Sequence, residues 1–197
     1  MGRSSAEQAR QNRARIVASA SALFRARGIE NVSLAEIMGA VGMTPGGFYK
    51  HFGSKEALAQ EACTAAFAQA ADIWKNLAED GNSPATAAIV ARYFRKRPAE
   101  QNCPILAYAP AVANAATDSS LRETYLDGLK NVYQAFLPDG TSQKPAKSED
   151  EAAVLFAAMI GARLLAQATD NAEWSQRIQD AVSRKAEEMT AKGPAQP

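Results

Sequence analysis

The sequence contains few of the residues that build metal sites, disulfide frameworks and nucleophilic active sites. Its 197 residues include two cysteines, Cys63 and Cys103, and one histidine, His51. Neither thiol has metal-ligand spacing, so we expect both to pack as small hydrophobes, with redox sensing as the alternative. The chain also lacks a phosphate-binding glycine loop and a catalytic carboxylate pair. We therefore predict no metal, no cofactor and no enzymatic activity.

Long apolar runs and export signals are also lacking. No stretch approaches the roughly 18 apolar residues that span a membrane. The N-terminal residues 1–6 are polar and no apolar core follows them, which argues against a signal peptide. Ala6 stands where a myristoylation motif requires Ser or Thr. These features predict a cytoplasmic protein without a membrane partner.

The positive charge is concentrated at the N-terminal end. Residues 1–60 contain eight Lys and Arg against four Asp and Glu, a net of +4. Residues 61–197 contain fourteen against seventeen, a net of −3, and the two sum to the formal net charge of +1. This distribution indicates that a polyanion meets the N-terminal end. A chance asymmetry of the surface is the alternative.

Alanine is frequent and runs of β-branched residues are scarce, which favours helices over strands. Apolar residues at helical spacing predict an all-α chain of about nine helices, with the polar residues 138–150 as a loop. Pro110 is expected to limit the sixth helix. The helices run over about residues 5–27, 33–41, 44–52, 55–79, 84–97, 104–110, 118–136, 149–169 and 173–191.

The first three helices have the signals of a helix-turn-helix domain. Ser33 and Glu36 form a capping box at the start of the second helix, and Gly42 breaks it. Thr44 is a capping residue, followed by a proline that suits the first turn of the third helix. In a helix-turn-helix the second helix of the pair enters the major groove. The alternative is a tight helical hairpin without a ligand.

The third helix offers one face to a partner. Phe48 and Phe52 are expected to be buried, which leaves two glycines, a tyrosine and a lysine on the outer side. Glycine allows a close approach of the backbone to DNA, and free N–H groups at the helix starts can hold phosphates. The predicted DNA contacts are Ser33, Thr44, Pro45, Gly46, Gly47, Tyr49, Lys50, His51 and Lys55.

Residues 32–58, together with the preceding residues 15–28, closely resemble the DNA-binding domain of the tetracycline-repressor (TetR) family. The resemblance implies phosphate contacts from Thr44, Tyr49, His51 and Lys55, and base contacts from the outer face of residues 44–50. It also implies that arginines of the N-terminal arm, such as Arg3 and Arg10, reach flanking DNA. Gly47 departs from the family, which often carries a small side chain at that position, so one candidate for base contact is missing.

The last two helices are predicted to form a dimer interface. Residues 151–168 are apolar on every side, and Trp174, Ile178, Val182 and Met189 line one side of the final helix. Pairing with a second copy through about residues 150–190 would make a four-helix interface. Burial within one subunit is the alternative, although the family resemblance also implies the dimer.

The family resemblance further implies an effector pocket among the middle helices. Aromatic side chains with a few polar ends suit an apolar effector, although such residues also form ordinary cores. Arg163 lies in an apolar helix and needs an acidic side chain, the other subunit or an anionic ligand as its partner. The candidate ligand-binding residues are Phe67, Trp74, Tyr93, Phe94, Tyr108, Met159 and Arg163.

These predictions describe a homodimeric repressor that binds double-stranded operator DNA and is released by a small-molecule effector. We assign residues 1–53 to the helix-turn-helix DNA-binding domain and residues 54–197 to the ligand-binding and dimerisation domain. The alternative is a helical small-molecule-binding protein that acts through protein partners, and the basic N-terminal end argues against it.

Overall fold

The computed structural model of the chain describes residues 2–79, 85–137 and 145–191, and within these ranges every regular element is a helix. The all-α class is confirmed, and each of the nine predicted helices has a counterpart. The α-helices are α1 Gly2–Arg27, α2 Leu34–Ala40, α3 Lys55–Glu79, α4 Ala85–Phe94, α5 Pro104–Ala113, α6 Ser120–Phe136, α7 Pro145–Ala168 and α8 Glu173–Ala191. Two 3₁₀ helices, η1 Pro45–Lys50 and η2 Ala99–Gln101, complete the order.

Two predicted boundaries were wrong. Helix α5 continues through Pro110 to Ala113. Proline removes one helical hydrogen bond, and burial of Tyr108 and Val112 on either side keeps both turns in place. Helix α7 begins at Pro145, so residues 145–150 are helical, because proline suits a first helical turn. The rest of the predicted loop, residues 138–144, lies outside the described residues.

Contacts divide the chain into two compact units, one of residues 1–70 and 97–130, the other of residues 71–96 and 131–197. In the first unit α1 packs on α2, α5 and η2. In the second unit α8 packs on α4 and α7. The predicted domain boundary between residues 53 and 54 falls inside the first unit and stays a prediction.

The predicted apolar stripe of α1 forms the centre of the first unit. Ile16, Ala20 and Phe24 are completely buried, as are Ile37 of α2 and Leu58 of α3. Each large apolar side chain contributes about 1.5–3 kcal/mol when it is fully buried. The core therefore holds the first three helical elements and the start of α3 together.

The two thiols differ in their surroundings. Cys63 is completely buried on α3, and burial raises its pKa to about 12. A thiol that stays protonated packs as a small hydrophobe, which agrees with the prediction for this residue. Cys103 is half-buried at the N-terminal cap of α5.

Among the described residues, one helix has the length and hydropathy of a membrane span, against the prediction that no stretch would. Residues 149–168 have a mean hydropathy of 1.4 over their most apolar window, and 33% of that window is buried. The core helices of globular proteins pass the same test.

A close approach between α3 and α6 requires glycine at position 128. A Cβ atom there would lie 2.4 Å from Cγ of Phe67, whose ring meets the ring of Tyr125 edge-on at 5.4 Å. The Tyr125 hydroxyl in turn donates to the carbonyl oxygen of Ile105 at 3.0 Å. Phe67 is buried and cannot move aside without disturbing these contacts.

We predict that Gly128→Ala lowers the free energy of unfolding by about 1–3 kcal/mol, because the added methyl group overpacks the Phe67 site. Urea unfolding measures the change. Gly39→Ala is the matched control, because a Cβ atom there has no atom within 4 Å and helix propensity alone should stabilise α2 by up to about 1 kcal/mol. An equal decrease in the free energy of unfolding of both variants would contradict overpacking at the Phe67 site.

Candidate DNA-binding site

The predicted capping box at the start of α2 is present. The backbone N–H of Glu36 donates to Ser33 Oγ at 3.2 Å, and the backbone N–H of Ser33 donates to Glu36 Oε2 at 2.8 Å. Arg27 at the end of α1 adds an ion pair to Glu36 at 2.8 Å. The N–H and hydroxyl of Ser33, followed by Arg27, lower the pKa of Glu36 to about 2.

The turn after α2 depends on Gly42. This residue has a φ of +72°, in the left-handed region that glycine adopts without strain. Its N–H donates to the Gly39 carbonyl oxygen at 3.0 Å, and the Met43 N–H donates to that of Met38 at 2.9 Å. This pair of bonds is a Schellman motif, which ends α2 and directs the chain into the next element.

Residues 44–51, which we name the recognition segment, contain a 3₁₀ helix rather than the predicted α-helix. One proline and two glycines in six residues give little α-helical propensity, which favours the tighter, shorter form. Thr44 was predicted to cap this helix, but its side chain makes no capping hydrogen bond. The N–H of Gly47 instead donates to the backbone oxygen of Thr44 at 3.0 Å.

The predicted division of the segment into a buried and an outer side is confirmed for its aromatic residues. Phe48 is completely buried and stacks on Phe52 with ring centroids 5.6 Å apart. Tyr49 meets the Phe48 ring edge-on and has 70% of its surface exposed. A large exposed aromatic side chain held by a buried neighbour is available to a partner.

None of the nine predicted contact residues is buried in the core. Seven of them fall within the recognition segment, and the other two, Ser33 and Lys55, begin α2 and α3. Lys55 follows Ser54, whose hydroxyl accepts from the Ala57 N–H at 3.1 Å and caps α3. Ser33, Thr44, Pro45, Gly46, Tyr49 and Lys50 are exposed, while Gly47, His51 and Lys55 are half-buried.

The fold itself does not require glycine at positions 46 and 47. A Cβ atom on Gly46 would have no atom within 4 Å, and one on Gly47 would make ordinary contacts of 3.7 Å with Met38 and 3.9 Å with Thr44. Neither residue has a left-handed φ. Internal packing therefore gives no reason for either glycine.

Four arginines of α1 make internal contacts that the sequence pattern did not reveal. Arg15 donates to the Val41 carbonyl oxygen at 2.7 Å, and Arg13 donates to the His51 carbonyl oxygen and to the Glu61 carboxylate. Arg25 donates to the Asn102 carbonyl oxygen at 2.6 Å, and Arg27 pairs with Glu36. Half of the eight basic residues in positions 1–60 therefore hold the fold together.

Lys50 and Lys55 differ from Arg13 and Arg27, which pair with Glu61 and Glu36. Within the part of the chain that the structure describes, neither lysine forms an ion pair. Arg10 is exposed and pairs with Glu7, and the side chain of Arg3 lies outside the described residues. The positive charge that remains available near the recognition segment is that of the two lysines.

The candidate ligand-binding residues divide between the two units. Trp74 lies in an aromatic cluster of the second unit, 6.3 Å from Tyr93 and 5.9 Å from Phe136 between ring centroids. The Phe94 ring contacts the Tyr93 ring, and the Phe156 ring contacts the rings of Trp74 and Phe136. Met159 is buried and Arg163 half-buried in the same unit, whereas Phe67 and Tyr108 are buried in the first.

The first unit also contains a cavity of about 800 Å³ that the sequence did not suggest. Its walls are the end of α1 with the following turn, the start of α3, and α5 with the loop into α6. Arg25 and Lys55 lie at this cavity, with Ile29, Leu106 and Pro110 among its apolar residues. Its volume falls within the range of small-molecule sites.

Comparison with known proteins agrees with this arrangement. Residues 16–62 match the family model of bacterial regulatory proteins of the tetR family, and this match confirms the resemblance noted in the sequence. A search of the curated proteins gives no match.

Solved structures share the fold over most of the chain. A TetR-family regulator from Cytophaga hutchinsonii is 18% identical, with 94% of this chain and 98% of that one covered and a TM-score of 0.73. Reduced NemR of E. coli is 21% identical over 87% and 95%, with a TM-score of 0.71. A TetR regulator from Chloroflexus aurantiacus is 26% identical over 90% and 95%, with a TM-score of 0.67.

The low pKa of Glu36 predicts how the capping box responds to acid. A carboxyl group whose pKa is lowered on folding stabilises the fold above its unfolded value of 4.5, and the contribution disappears as the pH falls through about 2. Glu36→Gln should therefore lower the thermal midpoint at neutral pH, and the difference from the wild type should shrink over that range. A difference that is constant with pH would contradict the charged capping box.

Proposed function

We propose that this chain, whose N-terminal segment is that of the tetR family and whose fold is that of TetR-family transcriptional regulators, is a homodimeric repressor released from operator DNA by a small-molecule effector. The observation that carries the DNA-binding part is the recognition segment. It carries an exposed tyrosine, an exposed lysine, an exposed Gly46 and a half-buried Gly47, and the fold gives no internal reason for either glycine.

Each of the proposed contact residues suits one kind of contact with DNA. Tyr49 offers a hydroxyl and Lys55 a charge to phosphate oxygens, and the start of α3 adds free backbone N–H groups. Ser33, Thr44 and His51 are further phosphate contacts in this proposal. The outer face of residues 44–50 meets base edges, and Gly46 and Gly47 let the backbone approach the groove.

Exposed apolar surface supports the dimer. Helix α7 was expected to be buried on every side, yet in the single chain Val154 is 70% and Leu164 53% exposed. Trp174 of α8 is 52% exposed, and an apolar groove of about 560 Å³ runs between the two helices past Ile178 and Val182. A second copy that pairs through about residues 150–190 would cover this surface and present two recognition segments to two half-sites.

The effector is proposed to bind the helical part of the chain, residues 54–197, where the seven candidate residues lie. The aromatic cluster around Trp74 provides apolar walls, and Arg163 provides a charge for an anionic group. An effector must bind the DNA-free state more tightly than the DNA-bound state to release the operator. Because operator DNA lies in the bacterial cytoplasm, the repressor acts there.

DNA binding is tested by fluorescence anisotropy of the purified protein on a duplex from upstream of its own gene. We predict specific binding that weakens steeply with salt, because phosphate contacts release counterions. Lys55→Gln should reduce the slope of log affinity against log salt by about 0.9 for each phosphate that the protein no longer neutralises. Gly46→Ala should weaken binding and leave the thermal midpoint unchanged or higher.

Two results would contradict the proposal. The first is that no upstream duplex binds even at low salt, which would favour a protein that acts through protein partners. The second is that Lys55→Gln and Gly46→Ala both bind DNA as the wild type does, which would place the interface elsewhere.

The dimer is tested by sedimentation. Val154→Asp should convert the dimer to monomers, because it would bury unpaired charges in the α7–α8 interface. Leu126→Asp is the matched control, since Leu126 is 50% exposed but lies on α6. A wild-type monomer, or a Val154→Asp dimer of unchanged affinity, would rule out this interface.

A further inference from the structure

We infer that Arg13 and Arg15 position the recognition segment for DNA by binding two backbone carbonyl groups, one at the last residue of the segment and one at the end of α2 just before it. The inference rests on the proposed DNA-binding function. It assigns to these arginines an orienting role within the protein, in place of the direct phosphate contact that their charge suggests. The carbonyl groups are those of Val41, three residues before the segment, and His51, its last residue.

The recognition segment has little stability of its own. Its 3₁₀ helix has six residues, begins without a side-chain cap and contains two glycines, whose helix propensity is lower than that of alanine. Phe48 is the one residue of the segment that is buried in the core. Phe48 anchors the segment in the core, and the segment also packs on α2. The orientation of its exposed face depends further on what holds its ends.

Arg13 holds the C-terminal end through three contacts. Its guanidinium group donates to the His51 carbonyl oxygen and to the carboxylate of Glu61 on α3, and it lies 4.0 Å from the centre of the Phe52 ring. The planar guanidinium group donates to a carbonyl and a carboxylate and stacks on an aromatic ring at the same time, which a lysine cannot do. Arg13 therefore links α1, the end of the segment and α3.

Arg15 holds the end of α2, from which the chain continues into the segment. Its Nη2 donates at 2.7 Å to the carbonyl oxygen of Val41, the C-terminal cap residue of α2. Carbonyl groups at a helix end carry partial negative charge, so a guanidinium group stabilises them. The adjacent residue Ile16 is completely buried, which fixes the helix that carries both arginines.

Positioning and direct phosphate contact predict different results for Arg13. A phosphate contact depends on charge, so Arg13→Lys would keep most of the affinity and Arg13→Gln would reduce the salt slope as Lys55→Gln does. A positioning role depends on the geometry of the guanidinium group. Arg13→Lys and Arg13→Gln would then weaken binding alike, by about tenfold, which is typical of losing a hydrogen bond from a charged group.

The experiment measures DNA affinity against salt for Arg13→Gln, Arg13→Lys and Arg15→Gln. Arg177→Gln is the control, because it removes the same charge from an exposed pair with Glu173 on α8. We expect the three variants to lose affinity with a wild-type salt slope and the control to be unchanged. Wild-type affinity in Arg13→Lys, or a slope reduced as in Lys55→Gln, would overturn the inference.

Hydrogen exchange in the DNA-free protein provides a second readout. The N–H groups of His51 and Phe52 donate to the Phe48 carbonyl oxygen at 2.8 and 3.0 Å. Arg13→Gln should accelerate their exchange, while far-UV circular dichroism stays that of the wild type. If Arg13→Gln unfolds, Glu61→Gln, which removes only the carboxylate partner, should accelerate the same amides.

Unchanged exchange at His51 and Phe52 in the folded variants would overturn the positioning role. This measurement needs no DNA. A wild-type protein that binds no duplex would therefore defeat the proposed function alone, while the exchange rates would still decide whether Arg13 orders the segment.

Discussion

The proposed DNA-binding part of this chain depends on the arginines of α1 and on the carbonyl and carboxylate groups they bind. Arg13 and Arg15 bind carbonyl oxygens on either side of the recognition segment, and Arg27 pairs with the carboxylate that caps α2. The buried stripe of α1 fixes the helix, and the arginines beside it fix the elements around it. A weak 3₁₀ helix can thus be held in one orientation without a large core of its own.

These contacts change how the positive charge of the N-terminal residues 1–60 is interpreted. Counted along the sequence, its charge indicates a polyanionic partner. In the fold, four of the eight basic residues in positions 1–60 bind acceptors on other elements, whereas Lys50 and Lys55 form no ion pair among the described residues. The net charge points to the N-terminal end of the molecule, but the residues that produce half of its positive charge have a structural role.

Local patterns in the sequence predicted the local features of the site. The capping box at Ser33, the break at Gly42 and the burial of Phe48 depend on residues within a few positions of each other. The 3₁₀ form of the recognition segment was not predicted, because a threonine followed by a proline can begin either kind of helix. Helix α5 continues through Pro110 because the burial of neighbouring side chains stabilises the helix by more than the loss of one backbone hydrogen bond destabilises it.

Features that join distant positions could not be predicted from spacing. Arg13 and His51 are 38 residues apart, and Arg25 and Asn102 are 77 apart. The close approach of Gly128 to Phe67 could not be predicted, since a single glycine in a helical sequence does not indicate which residue packs against it. The seven candidate ligand residues were selected by residue type, which does not determine the unit in which each one packs.

We propose that DNA meets the protein at the recognition segment and the start of α3. Hydrogen exchange of the wild-type protein, measured with and without its upstream duplex, tests this proposal. We expect strong protection of residues 44–57 on binding, with little change in α8. Protection confined to other parts of the chain, with residues 44–57 exchanging as in the free protein, would contradict it.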